Sequence, residues 1–334
     1  MRLRPAPLSL LIFILLGGHA VGTAGAWDLR DKPFGFRLQI ADDRTTNFFP
    51  AAHPILSMNP AADDFTREPP FDYNVLGGLV SELGSFDAGG WLSINSVIAL
   101  IRLPGDAGTL TPLLTRTDVY DSTTRQGQDF DLRTNAATLR YSRRLSPRWS
   151  IGGAVKVLHN HTALANPAVK VDSSVDKAEF TLGVFGRPAT NWTTGFFVTQ
   201  APSWIDSKIS VAGNNSTQSS TTQLTRVRGG LGWRSVPDTA LYADVQYLHI
   251  RNRDESANFV RFMFMSEKFV TASVPIRFGM TLDTAGEATP TAAIGVYGLK
   301  GVNFDFYYSY NAYPEVRREL GKTNYWMLVV SRMF

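Results

Sequence analysis

Residues 302–310 read VNFDFYYSY, with an apolar or aromatic side chain at every second position. Val302 and Phe304 fall on one side of an extended chain, and Asn303 and Asp305 fall on the other. Alternation of this kind predicts a β-strand with one apolar and one polar face. The same period of two recurs through most of the C-terminal part of the chain. The sequence therefore predicts an all-β protein made of many amphipathic strands.

The composition fits this alternation. Of the 334 residues, 44% are hydrophobic and 12% aromatic, yet the mean hydropathy is only −0.09. The chain contains no cysteine, which excludes a disulfide scaffold, a cysteine-based zinc site and a thiol nucleophile. The 33 basic and 29 acidic residues are spread along the chain. Because no basic stripe is present, we expect no nucleic-acid partner.

The N-terminus has the pattern of a secretory signal peptide. Arg2 and Arg4 precede an apolar run at residues 8–16, and small residues end in an A-x-A pattern at Ala26. We therefore predict a cleaved signal peptide over residues 1–26. No later segment carries the roughly 20 consecutive apolar residues of a spanning helix. An exported chain of this kind can still cross a membrane as a closed barrel of alternating strands.

Two features favour a membrane barrel over a soluble sandwich. Aromatic residues cluster at predicted strand ends, as in the girdles of outer-membrane barrels, at Tyr141, Trp149, Trp192, Trp233 and Tyr247. Short turns at 146–148, 187–191, 235–239 and 299–301 alternate with longer polar connections at 116–128, 163–176, 203–222 and 311–322. Outer-membrane barrels have short periplasmic turns and longer external loops. The alternation therefore predicts which ends of the strands face the periplasm.

The strand count follows from the same pattern. Counting back from Phe334 gives eleven strands as far as residue 129. A periplasmic N-terminus requires an even total, because antiparallel strands alternate in direction. One strand at 90–103 gives twelve, and two more at 73–83 and 34–41 give fourteen. We predict a transmembrane antiparallel β-barrel of 12–14 strands.

The last ten residues, YWMLVVSRMF, resemble the C-terminal signal of bacterial outer-membrane barrels. Phe334 is terminal, and Val330, Leu328 and Trp326 precede it at alternate positions, whereas Arg332 occupies a slot that is usually apolar. The resemblance implies the outer membrane of a Gram-negative-type bacterium as the location. It also implies two partners: the outer-membrane lipid, and the barrel assembly machinery acting through the C-terminal strand.

An N-terminal segment carries a more specific resemblance. Residues 40–43 read IADD, and an NPA triplet follows at Asn59, Pro60 and Ala61. This order is similar to the N-terminal segment of the long-chain fatty acid transporter family, the FadL-like barrels, whose relatives include shorter scaffold-like barrels. The triplet lies 16 residues beyond Asp43, farther than is usual in that family, and a nearer candidate at residues 50–52 lacks the asparagine. The motif is therefore either displaced to 59–61 or degraded at 50–52.

The resemblance extends to residues 243–247 and 275–279, which look like two strand motifs of the same group. It implies a barrel plugged by an N-terminal hatch, with hydrophobic ligands entering from outside and leaving sideways near a kinked strand. Carried over to this chain, the hatch is residues 27–70, with the NPA triplet at its pivot, and the barrel is residues 71–334. The alternative for residues 27–70 is an ordinary periplasmic lead-in.

Two functions fit these expectations. The first is a passive channel for hydrophobic or amphipathic small molecules, which needs no cofactor and has no catalytic residue. The second is a structural or scaffold barrel that binds partner proteins without transport. A conduit predicts a continuous apolar path through the lumen and a laterally open wall. A scaffold predicts a sealed lumen with paired charges.

Charged residues at inward-facing positions are candidates for the lumen. They are Arg140, Lys156, Arg226, Arg228, Asp244, Arg277 and Asp305. A lumen lined with arginine would favour anionic solutes. The simpler interpretation is that these charges pair with one another and with the plug, and that Arg144 and Arg234, beside turns, meet water. We favour pairing for most of them.

Histidines are the remaining candidates for chemistry. His159 and His161 share one strand face, a spacing that could hold a metal, but an exposed position at the outer rim explains them better. His249 has no accompanying serine motif of the kind that lipid hydrolases use. We therefore predict neither a metal site nor an enzyme.

Overall fold

The structure is a computed structural model that describes residues 58–64, 74–211, 214–236, 238–284 and 286–334. Within these residues, fourteen antiparallel strands form one closed barrel, in which each strand pairs with its neighbours in sequence and β1 pairs with β14. The strands are β1 Val75–Phe86, β2 Trp91–Arg102, β3 Thr109–Thr123, β4 Asp129–Ser146, β5 Trp149–Ala165, β6 Val169–Ala189, β7 Trp192–Val211, β8 Asn214–Val236, β9 Thr239–Arg251, β10 Ser256–Thr271, β11 Val274–Asp283, β12 Ala288–Leu299, β13 Val302–Tyr310 and β14 Thr323–Met333. The predicted all-β barrel is confirmed, with fourteen strands. The predicted signal peptide 1–26, the strand 34–41 and most of the plug 27–70 lie outside the described residues.

The third strand corrects the sequence interpretation. The chain from Thr109 to Thr123 is strand β3, whereas the sequence placed a polar connection at 116–128. Its inward face carries threonines such as Thr115, and its outward face carries Arg116. Because both faces are polar over this stretch, apolar–polar alternation could not mark it. The fourteenth strand is thus β3, and the barrel closes without 34–41.

Two other predicted loops are also strands. Strands β6, β7 and β8 contain most of 163–176 and 203–222, and they have 21, 20 and 23 residues. All side chains from 214 to 220 are exposed. These long strands extend past the apolar belt, so both of their faces meet water and no alternation is needed. The prediction of loops there was wrong for this reason.

The ends of the barrel agree with the predicted orientation. Tight connections at 147–148, 190–191 and 300–301 lie at the end that contains the C-terminus, which we call the periplasmic end. The long connection at 311–322 lies at the opposite, extracellular end and contains the short helix α1, Arg317–Leu320. No helix in the described ranges is long and apolar enough to cross a membrane.

The outer surface is apolar across the middle of the barrel. Leu182, Phe278 and Leu114 face outward and are 75%, 63% and 62% exposed. Near the periplasmic end, Trp192 and Trp233 face each other across β7 and β8 with ring centroids 6.3 Å apart. Such exposure is costly in water and favourable in lipid. A closed barrel with an apolar belt and aromatic ends is the architecture of outer-membrane barrels.

Candidate functional site: the barrel interior

A short segment of chain, residues 58–64, lies inside the barrel, and we call it the docked segment. Its single turn of 3₁₀ helix, Pro60–Ala62, is capped by Asn59, whose Oδ1 accepts the Ala61 N–H at 3.0 Å. The Asn59 Nδ2 donates to the Val184 carbonyl at 2.9 Å. The Ser150 hydroxyl donates to the Ala61 carbonyl at 2.5 Å. The NPA triplet therefore lies buried against the inner wall of β5 and β6.

Two glycines make room for the docked segment. Gly152 on β5 and Gly183 on β6 are directly paired and face inward. A Cβ at Gly152 would lie 2.5 Å from the Ala61 nitrogen, and a Cβ at Gly183 would overlap the Asn59 Oδ1. Glycine inside a strand often marks the close approach of another backbone. A pair of inward glycines on neighbouring strands was therefore a sequence signal for this contact.

The acidic end of the docked segment binds β3 and β4. Asp63 and Arg140 form a buried ion pair at 3.0 Å. Asp64 accepts hydrogen bonds from the Thr109 hydroxyl at 3.0 Å and from the Arg144 backbone N–H at 2.8 Å. Arg144 is exposed, as its position beside a turn predicted, and it also contacts the docked segment. Burial raises the pKa of Asp63 to about 6, against the opposing effect of the Arg140 guanidinium.

The wall between β2 and β3 is interrupted next to this contact. Pairing runs to Ile98 and Leu113 and resumes only at Ile101 and Leu110. Pro112, which has no N–H to donate, lies within the interval. The interruption is two residues from Thr109, the partner of the docked segment, so the segment lies beside a weak point in the ladder.

The inward faces of β14, β1 and β2 form what we call the apolar wall. Its buried members include Leu76, Val80, Ile98, Leu100, Met327 and Val329. The wall runs from Leu76, near the periplasmic end, to Tyr325, near the extracellular end. Leu100 is fully buried and lies within the interrupted part of the ladder. A mainly apolar strip, interrupted by the Glu82 carboxyl group, therefore runs between the two ends of the barrel.

The connection 311–322 folds into the extracellular mouth, and we call it the inward loop. Its Val316 and Leu320 are buried in a cluster with Phe86 and Leu92 of the barrel. The Arg261 guanidinium of β10 donates to the Glu315 carboxylate of the loop, and both side chains are almost fully buried. The inward loop thus closes the apolar wall at its extracellular end.

Much of the rest of the interior is charged and paired, and this charged part begins directly beside the apolar wall, where Asp305 of β13 pairs with Val329 of β14. Arg228 donates to Asp244 at 2.5 Å. Arg277 donates to Glu267 at 2.7 Å and to Asp305 at 2.5 Å, and these groups are all buried. Glu267 is a lumen residue that the sequence analysis missed, although its inward position follows from alternation with Met265 and Met263.

The other predicted lumen residues also lie on the inner face. Lys156 lies 3.6 Å from Glu179, which Lys177 also approaches at 2.8 Å. Arg226 is buried on β8. His159 faces outward, 2.7 Å from Asp176. Among the described residues there is no cluster of three or more histidine and acidic side chains that could hold a metal ion.

These features define a class: a closed fourteen-stranded transmembrane barrel with a segment docked in its lumen and one apolar interior wall. No family model matches the sequence, and no curated protein sequence matches it. Solved structures do match. The toluene transporter TodX of Pseudomonas putida aligns with a TM-score of 0.56 and 11% identity over 86% of this chain and 94% of that chain.

Two further structures give similar agreement. The CymD monoaromatic hydrocarbon channel aligns with a TM-score of 0.58 and 9% identity over 86% of this chain and 93% of its own. A FadL homologue from Pseudomonas aeruginosa aligns with a TM-score of 0.57 and 12% identity, covering 87% and 96%. At such identities the likeness is one of fold. The fold of this chain is that of the FadL-like barrels, as the sequence resemblance implied.

Proposed function

We propose that this protein is a passive outer-membrane channel for hydrophobic or amphipathic small molecules. The observation that carries the proposal is the apolar wall, which runs from the inward loop to the interrupted ladder between β2 and β3. A mainly apolar path is what a conduit needs, because it keeps an apolar solute in contact with apolar side chains during its passage. The fold neighbours include a toluene transporter and a monoaromatic hydrocarbon channel, which supports a transporter rather than an enzyme.

We place the outer end of the path at the inward loop. Val316 and Leu320 fill the space over Phe86 and Leu92, so a ligand must displace them to reach the apolar wall. Their contacts are apolar and non-directional, and an apolar ligand can replace them at little cost. The Arg261–Glu315 pair is the more directional restraint on this movement.

We place the inner end beside the docked segment. The unpaired interval around Leu100 and Pro112 offers a sideways route into the membrane. Asn59, Pro60 and Ala61 act in this proposal as the pivot of a hatch formed by residues 27–70. A modest shift of the docked segment away from Thr109 would uncover the interval.

Several features support export and assembly. The Phe334 backbone N–H donates to the Val75 carbonyl at 2.8 Å, and the Phe334 carbonyl accepts from Val75 at 3.1 Å. The terminal residue thus forms hydrogen bonds between β14 and β1, where the barrel closes. This position suits recognition of the last strand by the barrel assembly machinery. We retain the signal peptide over residues 1–26 as part of the proposal.

The second candidate function is a scaffold that binds partner proteins. The observation in its favour is the fully exposed polar stretch from 214 to 220, which stands above the apolar belt. The charged part of the interior, sealed by pairs such as Arg277–Asp305, is also compatible with a closed barrel. A scaffold of this kind has no need of the apolar wall.

Uptake of toluene into vesicles with a lipopolysaccharide outer leaflet separates the two functions. A channel makes vesicles that contain the wild-type protein take up toluene faster than protein-free vesicles. Val80→Gln places an amide in the apolar wall and is expected to lower the uptake about tenfold, since an unpartnered polar group costs roughly 1–3 kcal/mol. Thr138→Gln, on the polar inner face of β4, is the matched control and should change little. Equal rates with and without protein would overturn the channel and leave the scaffold.

A further inference from the structure

One carboxyl group interrupts the apolar wall. Glu82 lies on the inward face of β1, directly between Ile94 of β2 and Met327 of β14. Val80, the next inward residue toward the periplasm, is buried. Glu82 itself is partly exposed within the interior. A polar group therefore reaches the interior surface in the middle of an apolar strip.

The hydrogen bonding of Glu82 differs from that of the other interior carboxylates. In the described part of the chain, Glu82 accepts a hydrogen bond from the Tyr325 hydroxyl. Asp244 and Asp305, by contrast, are each held by an arginine. A carboxyl group has about four acceptor positions, so one hydroxyl leaves part of the acceptor capacity of Glu82 directed toward the interior.

The surroundings of Glu82 are those of a small-molecule site. Such sites are mostly apolar and carry a few placed polar groups that fix the orientation of the ligand. Tyr325 is held in place by Tyr313 of the inward loop, whose ring packs edge-on against it with centroids 5.9 Å apart. Glu82 and Tyr325 thus form a fixed polar pair directly beneath the inward loop, on the path that the proposed function assigns to the ligand.

We infer that Glu82, positioned by Tyr325, binds a hydrogen-bond donor, a hydroxyl or an amine N–H, on an otherwise apolar ligand. This inference rests on the proposed function and narrows its substrate class. A hydrocarbon without a donor passes the wall without using the site. A hydrophobic alcohol, phenol or amine gains one hydrogen bond in surroundings where water competes weakly, and so binds preferentially.

Binding of three matched probes tests the inference on the purified full-length barrel in detergent. The probes are para-ethylphenol, para-ethylaniline and para-ethylanisole, which share an apolar body and differ in whether they offer a donor. Isothermal titration is expected to give a Kd for the phenol at least tenfold lower than for the methyl ether. Equal Kd values for the phenol, the aniline and the ether in the wild-type protein would overturn the inference without any variant.

Variants assign the effect to Glu82. Glu82→Leu should raise the Kd of the phenol about tenfold and leave that of the ether unchanged, whereas Glu82→Gln, which keeps an acceptor, should stay within about threefold of wild type. Ser81→Leu, on the adjacent outward-facing residue, is the matched control. Equal weakening of all three probes in Glu82→Leu would mean that Glu82 only shapes the wall, and would overturn the inference. Loss of aniline binding alone would support it and restrict the donor to an amine.

Measuring toluene uptake by the same wild-type preparations allows this inference and the proposed function to be tested separately. Selective binding of the phenol without toluene uptake would refute the channel and leave the site intact. Toluene uptake that exceeds the protein-free rate, with no selectivity among the three probes, would refute the site and leave the channel intact.

Discussion

Gly183 on β6 lies so close to Asn59 that a Cβ on the glycine would overlap the asparagine Oδ1. Asn59 in turn caps the 3₁₀ turn of the docked segment and binds the Val184 carbonyl at 2.9 Å. The docked segment can therefore occupy this position only because residue 183 has no side chain. This makes the docking of the segment separable, by mutation, from the folding of the barrel.

Gly183→Val should displace the docked segment while the barrel still closes, because the new side chain occupies the position of Asn59. We expect an increased open-state current across planar bilayers and faster proteolysis near residue 58. Gly153→Ala is the matched control, since a Cβ there meets the Leu182 side chain at 3.5 Å and the Thr181 carbonyl at 3.7 Å, both ordinary contact distances. A Gly183→Val barrel with wild-type current and proteolysis would refute this role of the glycine.

Docking of the segment should depend on pH through Asp63. Burial raises the pKa of Asp63 from 3.8 to about 6, so the docked state binds a proton more tightly than the undocked state. The resulting stabilisation is present below pH 3.8 and is lost as the pH rises through 6. Proteolysis near residue 58 should therefore be faster at pH 7.5 than at pH 5. Asp63→Asn should flatten this dependence, and an unchanged pH profile in that variant would contradict the assignment.

The Arg261–Glu315 pair should control the inward loop. Both side chains are almost fully buried, and removing one partner of such a pair costs about 3–5 kcal/mol. Glu315→Leu should therefore release the loop and raise toluene uptake in vesicles. Arg261→Met combined with Glu315→Leu should recover much of the loop packing, because no charge is then left unpaired. Greater uptake in the double variant than in Glu315→Leu would argue against this mechanism.

Arg277 should be essential to the charged part of the interior. It holds Glu267 at 2.7 Å and Asp305 at 2.5 Å, and its removal leaves two buried carboxylates without their cation. Arg277→Met should lower the stability of the barrel by about 3–5 kcal/mol, seen as a lower temperature for the heat-induced shift in gel mobility. The triple variant that adds Glu267→Gln and Asp305→Asn should regain part of the loss. No change in Arg277→Met would show that the network is not structural.

The strands within the membrane could be predicted because lipid imposes a period of two. On β13, outward Phe304 and Phe306 alternate with inward Asn303 and Asp305, as the sequence indicated. The same rule failed on β3, where Arg116 faces outward and Thr115 faces inward, so the two faces do not differ in polarity. It failed again above the belt, where water surrounds both faces of β7 and β8.

The interior was predictable only in part. Alternation placed Arg277 and Asp305 on the inner face, but it does not say which charges meet, because Asp305 lies on β13, two strands away from the β11 strand that carries Arg277. The NPA triplet was recognised by resemblance. The two glycines against which it packs, Gly152 and Gly183, could be identified as neighbours only from the register of β5 against β6. Register is set by the hydrophobic pattern together with the geometry of the connecting turn, and the periodicity of a single strand does not give the turn geometry.

The unequal lengths of the strands give the barrel an uneven rim. Strands β6, β7 and β8 have 21, 20 and 23 residues, whereas β13 has nine. The smallest of these differences is eleven residues, which at about 3.3 Å per residue corresponds to roughly 35 Å of chain. The polar ends of β6, β7 and β8 therefore project beyond the rest of the extracellular rim on one side of the mouth. The inward loop, which joins β13 to β14, lies on the other side, where the rim is lower; we call this the low side. For the channel proposed above, a solute dissolved among the lipids has its shortest approach to the mouth from that low side.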